Sequence, residues 1–172
     1  MVGMNAIFAP GRNATSGATT VLRDALSFGA QSGTRTIVAT MGIPSLTLAD
    51  AATTVLTALV HVPEGWTTYD LYEWHYNPAA TTDAVTLLRR IYPVTSGTAL
   101  ALGVAPTGTG SYDGAAASLT PGAQDTPIRT LVTSGVAIPA SRKALLYQRR
   151  NGTTDPSTVS LQFVGYELVK AS

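Results

Sequence analysis

The chain has 172 residues, a mass of 17.8 kDa and no cysteine, which suffices for one domain with its own core and excludes a disulfide scaffold, a thiolate metal site and a cysteine nucleophile. Only 12% of its residues are charged and the net charge is +1, against about 25% charged in an ordinary soluble domain. Such a surface lacks both mutual repulsion and a field for a polyanion, so no nucleic-acid partner is expected and packing against other protein is.

Residues 1–20 hold Pro10, Gly11, Asn13 and Gly17, with Ile7 and Phe8 as apolar anchors and Arg12 as the cation. This segment is too polar to bury itself and is expected to be an extended N-terminal arm that binds a partner through Ile7, Phe8 and Arg12. The first residues carry no basic and apolar leader, so no signal peptide is expected, and no run approaches the roughly 18 apolar residues of a membrane span. Between Thr20 and Phe28 the apolar residues Val21, Leu22, Ala25 and Leu26 predict two turns of helix or a short strand.

From Gly33 onward β-rich segments alternate with Gly, Pro, Asn and Asp. Eight strands are expected: Thr34 to Met41, Thr53 to Val62, Thr67 to Tyr76, Asp83 to Val94, Thr98 to Val104, Arg129 to Ile138, Lys143 to Arg150 and Thr158 to Val169. The connection 105–124, rich in Gly, Ala, Thr and Ser, is the main irregular insertion. The stretch Lys143 to Val169 is expected as a closing β-hairpin, because the segment Asn151 to Ser157 is dense in turn residues. In its second arm the apolar set Val159, Leu161, Phe163 gives way after Gly165 to Tyr166 and Leu168, a change of parity that predicts a β-bulge. The whole is an all-β, antiparallel, eight-stranded sandwich of jelly-roll type spanning 21–172.

The candidate chemistry is sparse. His61, Glu73 and His75 could supply three metal ligands, but the clustered spacing of a metal-binding cupin is lacking, and a structural or interfacial role fits such histidines better. There is no nucleophile elbow and no phosphate loop, so neither an enzymatic role nor a cofactor is expected. Trp66, Tyr69, Tyr72, Trp74 and Tyr76 form the densest aromatic cluster; on strand parity Tyr72, Trp74 and Tyr76 share one face and Tyr69 lies on the other. At least one group is therefore core, and a glycan platform would draw on Trp66, Trp74 and Tyr76. The pairs Arg89-Arg90 and Arg149-Arg150 put one arginine of each on an inward face, where Glu73, Asp83 or Asp155 is the expected counter-ion.

The terminal run Lys143 to Val169, with an aromatic, Arg149, an Asp155-containing turn and the Val159 to Leu168 strand, together with the Ala/Gly/Thr-rich arm, resembles the single-domain jelly-roll structural proteins of tailed bacteriophages. The resemblance implies a non-enzymatic virion component (capsid decoration, tail or baseplate protein, or fibre), assembled in the host cytoplasm. It also implies self-association, for instance as a trimer, and docking on other virion proteins through the arm. The alternative expectation is a module that binds carbohydrate or a host-surface receptor through its aromatics.

Overall fold

A computed structural model describes residues 21–24, 28–32, 35–38, 43–48, 55–77, 84–120, 122–150 and 161–171, the first four of these segments and residues 161–162 as backbone only. The arm residues Ile7, Phe8 and Arg12, and the turn residues Asn151 to Ser157, lie outside them. The described strands are β1 (Val21–Asp24), β2 (Phe28–Ser32), β3 (Arg35–Val38), β4 (Ile43–Leu48), β5 (Val55–His61), β6 (Thr68–Tyr76), β7 (Val85–Pro93), β8 (Tyr112–Asp113), β9 (Ala117–Leu119), β10 (Pro127–Ala137), β11 (Lys143–Arg150) and β12 (Leu161–Lys170). They form two antiparallel sheets. The first runs β10-β6-β12-β4-β3, with β1 also on β12; the second runs β2-β5-β11-β7-β8, with β9 also on β7.

From β5 to β7, and again from β10 to β12, successive strands alternate between the sheets, the wrapped path of a jelly-roll sandwich. Alternating side chains fill the space between them: Leu56, Ala58 and Val60 of β5, Tyr69 and Leu71 of β6, Val85, Leu87 and Ile91 of β7, Ala144 and Leu146 of β11, and Phe163, Tyr166 and Leu168 of β12 belong to one buried cluster. Phe163 and Tyr166 reach the same core despite their odd spacing because the β12–β6 register shifts between Phe163 and Gly165. That is the bulge the parity change predicts.

Two local expectations are corrected and a third resolves to one of its two alternatives. Lys143 to Val169 is not a hairpin: β11 pairs with β5 and β7 in one sheet and β12 with β6, β4 and β1 in the other. Of the two alternatives at the start of the domain, the short strand is the one found at residues 21–24: β1 pairs with β12 from Val21↔Val169 to Asp24↔Tyr166, since two helical turns are too short to hold alone when a strand edge offers backbone partners. The segment Thr98 to Val104 is turns, with Thr98 N donating to Thr95 O at 3.3 Å and Val104 N to Ala101 O at 3.0 Å, and its carbonyls face Tyr92, whose hydroxyl lies 2.7 Å from Leu102 O and 2.6 Å from Val104 O. The insertion 105–124 is less irregular than expected, since β8 and β9 both lie along β7. Gly110 seats it: at φ 85° its bare Cα lets Pro139 approach, and a Cβ there would stand 2.7 Å from Pro139 Cδ.

Candidate functional site

β6 is the middle of the site because it carries two different polar clusters on its two faces. It lies between β10 and β12, paired Trp74↔Arg129 and Tyr72↔Leu131 on one side and Tyr72↔Glu167 and Trp74↔Gly165 on the other. Tyr69, Leu71, Glu73 and His75 point inward and are fully buried; Asp70, Tyr72, Trp74 and Tyr76 point outward.

The inward cluster is an ion pair inside the sandwich. Arg89 Nε of β7 donates to Glu73 Oε2 at 2.9 Å, and Gln148 Nε2 of β11 donates to Glu73 Oε1. Burial pushes the Glu73 carboxyl up from its ordinary range, against the opposing pull of Arg89. His75 sits two residues along, with Thr130 Oγ1 3.5 Å from its Nδ1 and its ring 6.2 Å from that of Phe163. Burial first and the Arg89 charge second push its pKa down to about 4. The expected fate of the paired arginines is met: Arg89 turns inward onto Glu73, whereas Arg90 turns outward and donates to Asp113 at 2.6 Å. Arg150 is buried, whereas Arg149 is exposed. His61 is exposed at the end of β5 in the opposite sheet, so the proposed ligand trio is not brought together, and among the described residues no group of three ligating side chains forms.

The outward cluster hangs on one carboxylate. Glu167 of β12, only 2% exposed, accepts from Arg129 Nε at 3.0 Å and also from its Nη2 through Oε1, and from Trp74 Nε1 at 3.4 Å through Oε2. Arg129 belongs to β10, two strand spacings or about 10 Å from β12. It therefore reaches Glu167 by crossing over β6, and its Cζ lies 3.3 Å from the Tyr72 ring centroid. Beside it Leu131 is 50% exposed. Asp70 Oδ1 accepts from Ser134 Oγ at 2.7 Å and from Gly135 N at 2.8 Å, pinning β10 where its register with β6 shifts past Leu131 and Thr133. Tyr76 closes the row, buried, its hydroxyl donating to Asp125 Oδ1.

An exposed row of Trp66, Trp74 and Tyr76, which a glycan platform would require, is thus not the arrangement found, and the expectation that part of the aromatic cluster is core holds. Trp66 is 5% exposed in the main core, because the Pro63 to Gly65 turn folds the chain back onto the sandwich before β6 begins. Tyr76 is 1% exposed, and Trp74 alone of the three stands half-buried on the outer face, packed against Tyr76 and Val164. The sequence reading missed Arg129 and Glu167. Their side chains meet Tyr72 and Trp74 only through strand register, although the parity that groups Tyr72 with Trp74 was legible.

No protein-family model matches the chain, and no curated protein matches it by sequence. Among solved structures it is similar to the CBM36-1 domain of a multidomain xylanase from the hindgut metagenome of Trinervitermes trinervoides, at 8% identity and TM-score 0.49 over 90% of this chain and 98% of that one. It is also similar to TmCBM61 in complex with β-1,4-galactotriose, at 7% identity and TM-score 0.46 over 94% of this chain and 100% of that one. A family two carbohydrate esterase from Cellvibrio japonicus aligns at 10% identity and TM-score 0.44 over 90% of this chain but 34% of its own length. Likeness at this level carries no argument about what the chain does.

Proposed function

We propose that this chain is a non-enzymatic binding module that contacts carbohydrate, or a glycan-bearing host receptor, through the outer face of β10, β6 and β12. The observation that carries the reading is the double use of Glu167: a single buried carboxylate fixes both the Trp74 indole and the Arg129 guanidinium, and Arg129 in turn covers Tyr72. Burying a carboxylate costs folding free energy that an apolar residue would not, whereas a contact surface gains from having its aromatic and its donor held before a ligand arrives. A glycan array probed with wild type and Trp74→Ala is the test. Binding is expected in the first and absent in the second; glycan binding that survives Trp74→Ala would remove this face from the reading.

The virion role implied by the sequence concerns the arm, and the two proposals are compatible: a phage particle component that docks by Ile7, Phe8 and Arg12 could present this face to a host surface. Deleting Met1 to Thr19 should leave the sandwich folded and abolish incorporation into particles. Normal incorporation of the truncated chain would refute the docking role.

A further inference from the structure

We propose that the interior of the sandwich beside Glu73 is a binding site for an ordered water molecule, which accepts a hydrogen bond from Arg89 Nη2, donates one to Gln148 Oε1 and takes His75 Nε2 as its third partner. Four buried side-chain polar atoms among the described residues have no hydrogen-bond partner in the protein, and three of them are these; the fourth, the Tyr69 hydroxyl, belongs to the other end of β6. Native interiors rarely leave such atoms unsatisfied, because each loses its hydration with nothing in return. The three belong to one cluster. Arg89 and Gln148 are register partners on β7 and β11, and each commits one group to the same carboxylate, Arg89 Nε to Oε2 at 2.9 Å and Gln148 Nε2 to Oε1. The carboxylate also dictates the orientation of the Gln148 amide, whose donor must face it. His75 follows Glu73 by two residues on the same inward face, about 7 Å along the strand.

Among the described residues no group is placed to serve these three atoms. The register neighbours are Thr130 and Tyr166 for Glu73, Ile128 and Phe163 for His75, and Leu56 for Gln148. Three of these are apolar, the Tyr166 hydroxyl donates to Leu59 O at 3.0 Å, and Thr130 Oγ1 stands against the other ring nitrogen of His75. The set also selects the ligand. A cation would have to sit against the Arg89 guanidinium and an anion against the Gln148 carbonyl, whereas water both donates and accepts. The bond to His75 can run either way, since Nε2 of a neutral imidazole is donor or acceptor according to tautomer. About three partners is usual for an internal water. A water so placed ties β6 of one sheet to β7 and β11 of the other, and the Arg89 side chain, 11% exposed, marks its route to solvent.

Oxygen-17 relaxation dispersion of the solvent, which counts water molecules held inside a protein for longer than its tumbling time, is the test. Wild type should hold at least one such molecule more than the variant combining Glu73→Leu, Arg89→Met and Gln148→Leu, in which two of the three partners are gone. Equal counts in the two proteins would overturn the proposal. A second measurement needs only wild type, and so stands even if the variant fails to fold: His75 Hδ2, on the ring carbon next to Nε2, should give a nuclear Overhauser cross-peak to water, of the sign that marks an immobilised molecule. A cross-peak from Hδ2 to a side chain of the connecting segments 49–54, 78–83 or 151–160 in place of water would show that the chain itself supplies the partner, and would overturn the proposal, as would no cross-peak to water at all.

Discussion

The two faces of β6 treat their carboxylates in opposite ways. Glu73 looks into the sandwich, holds Arg89 and Gln148, and touches nothing that a ligand could reach; Glu167, across the strand pair, is equally buried but holds groups that themselves stand at the surface. An internal ion pair of the first kind fixes how two sheets sit on each other. The second kind orders a surface. Burial alone does not distinguish them; what the carboxylate's partners face does.

Breaking the inner pair should give the largest effect. Glu73→Ala leaves Arg89 charged between the sheets and should cost about 3 to 5 kcal/mol, read from urea or thermal unfolding. Replacing the group together, with Glu73→Leu, Arg89→Met and Gln148→Leu, should restore stability to within about 2 kcal/mol of wild type or exceed it. If the triple variant were as unstable as Glu73→Ala, the cluster would be doing more than aligning sheets.

His75 sharpens the comparison through pH. Its folded pKa, at about 4, lies below the ordinary value of 6.5, so the unfolded chain takes up the proton first, and stability contributed by neutral His75 is present above pH 6.5 and lost as pH falls to about 4. Glu73 has the opposite sign: its folded pKa is raised, so its contribution is fullest at low pH and declines as pH rises through that raised value. The difference in unfolding free energy between wild type and His75→Phe cancels the other groups and should decline steadily across the 6.5 to 4 window. A difference independent of pH there would mean that His75 is not held neutral by burial.

Substitutions on the outer face should cost less stability than those inside. Trp74→Ala removes a half-buried ring and should cost about 1 to 2 kcal/mol. Leu131→Ala, at a half-exposed position, should stay within about 0.5 kcal/mol. An outer-face penalty as large as that of Glu73→Ala would make the cluster a structural cover and not a contact surface.

The sandwich was legible in the sequence where alternation was strong: the expected segments for β5, β6, β7, β10, β11 and β12 each contain or overlap the strand found. The parity of β6 and the bulge of β12 could be read the same way, because both are properties of one strand. What could not be read is anything decided between strands. Asn151 to Ser157 has the composition of a hairpin turn whether the chain turns back within a sheet or arches to the other one, so local chemistry predicted a hairpin that tertiary pairing did not form. The same limit hid the site: Trp74 and Glu167 are 93 residues apart, and Arg129 and Glu167 38 apart. β4, with Pro44 in it, and the short β8 and β9 carry too little pattern to stand out.

Two exposed leucines on opposite sheets offer the most direct test of the claim that function resides on the outer face of β6. Leu131 is 50% exposed beside Tyr72, and Leu59 is 37% exposed on β5 of the other sheet. Leu131→Glu and Leu59→Glu should both fold, with melting temperatures near wild type, and a glycan array read with all three proteins should show binding kept in Leu59→Glu and abolished in Leu131→Glu. Binding kept in Leu131→Glu, or lost only in Leu59→Glu, would contradict the account.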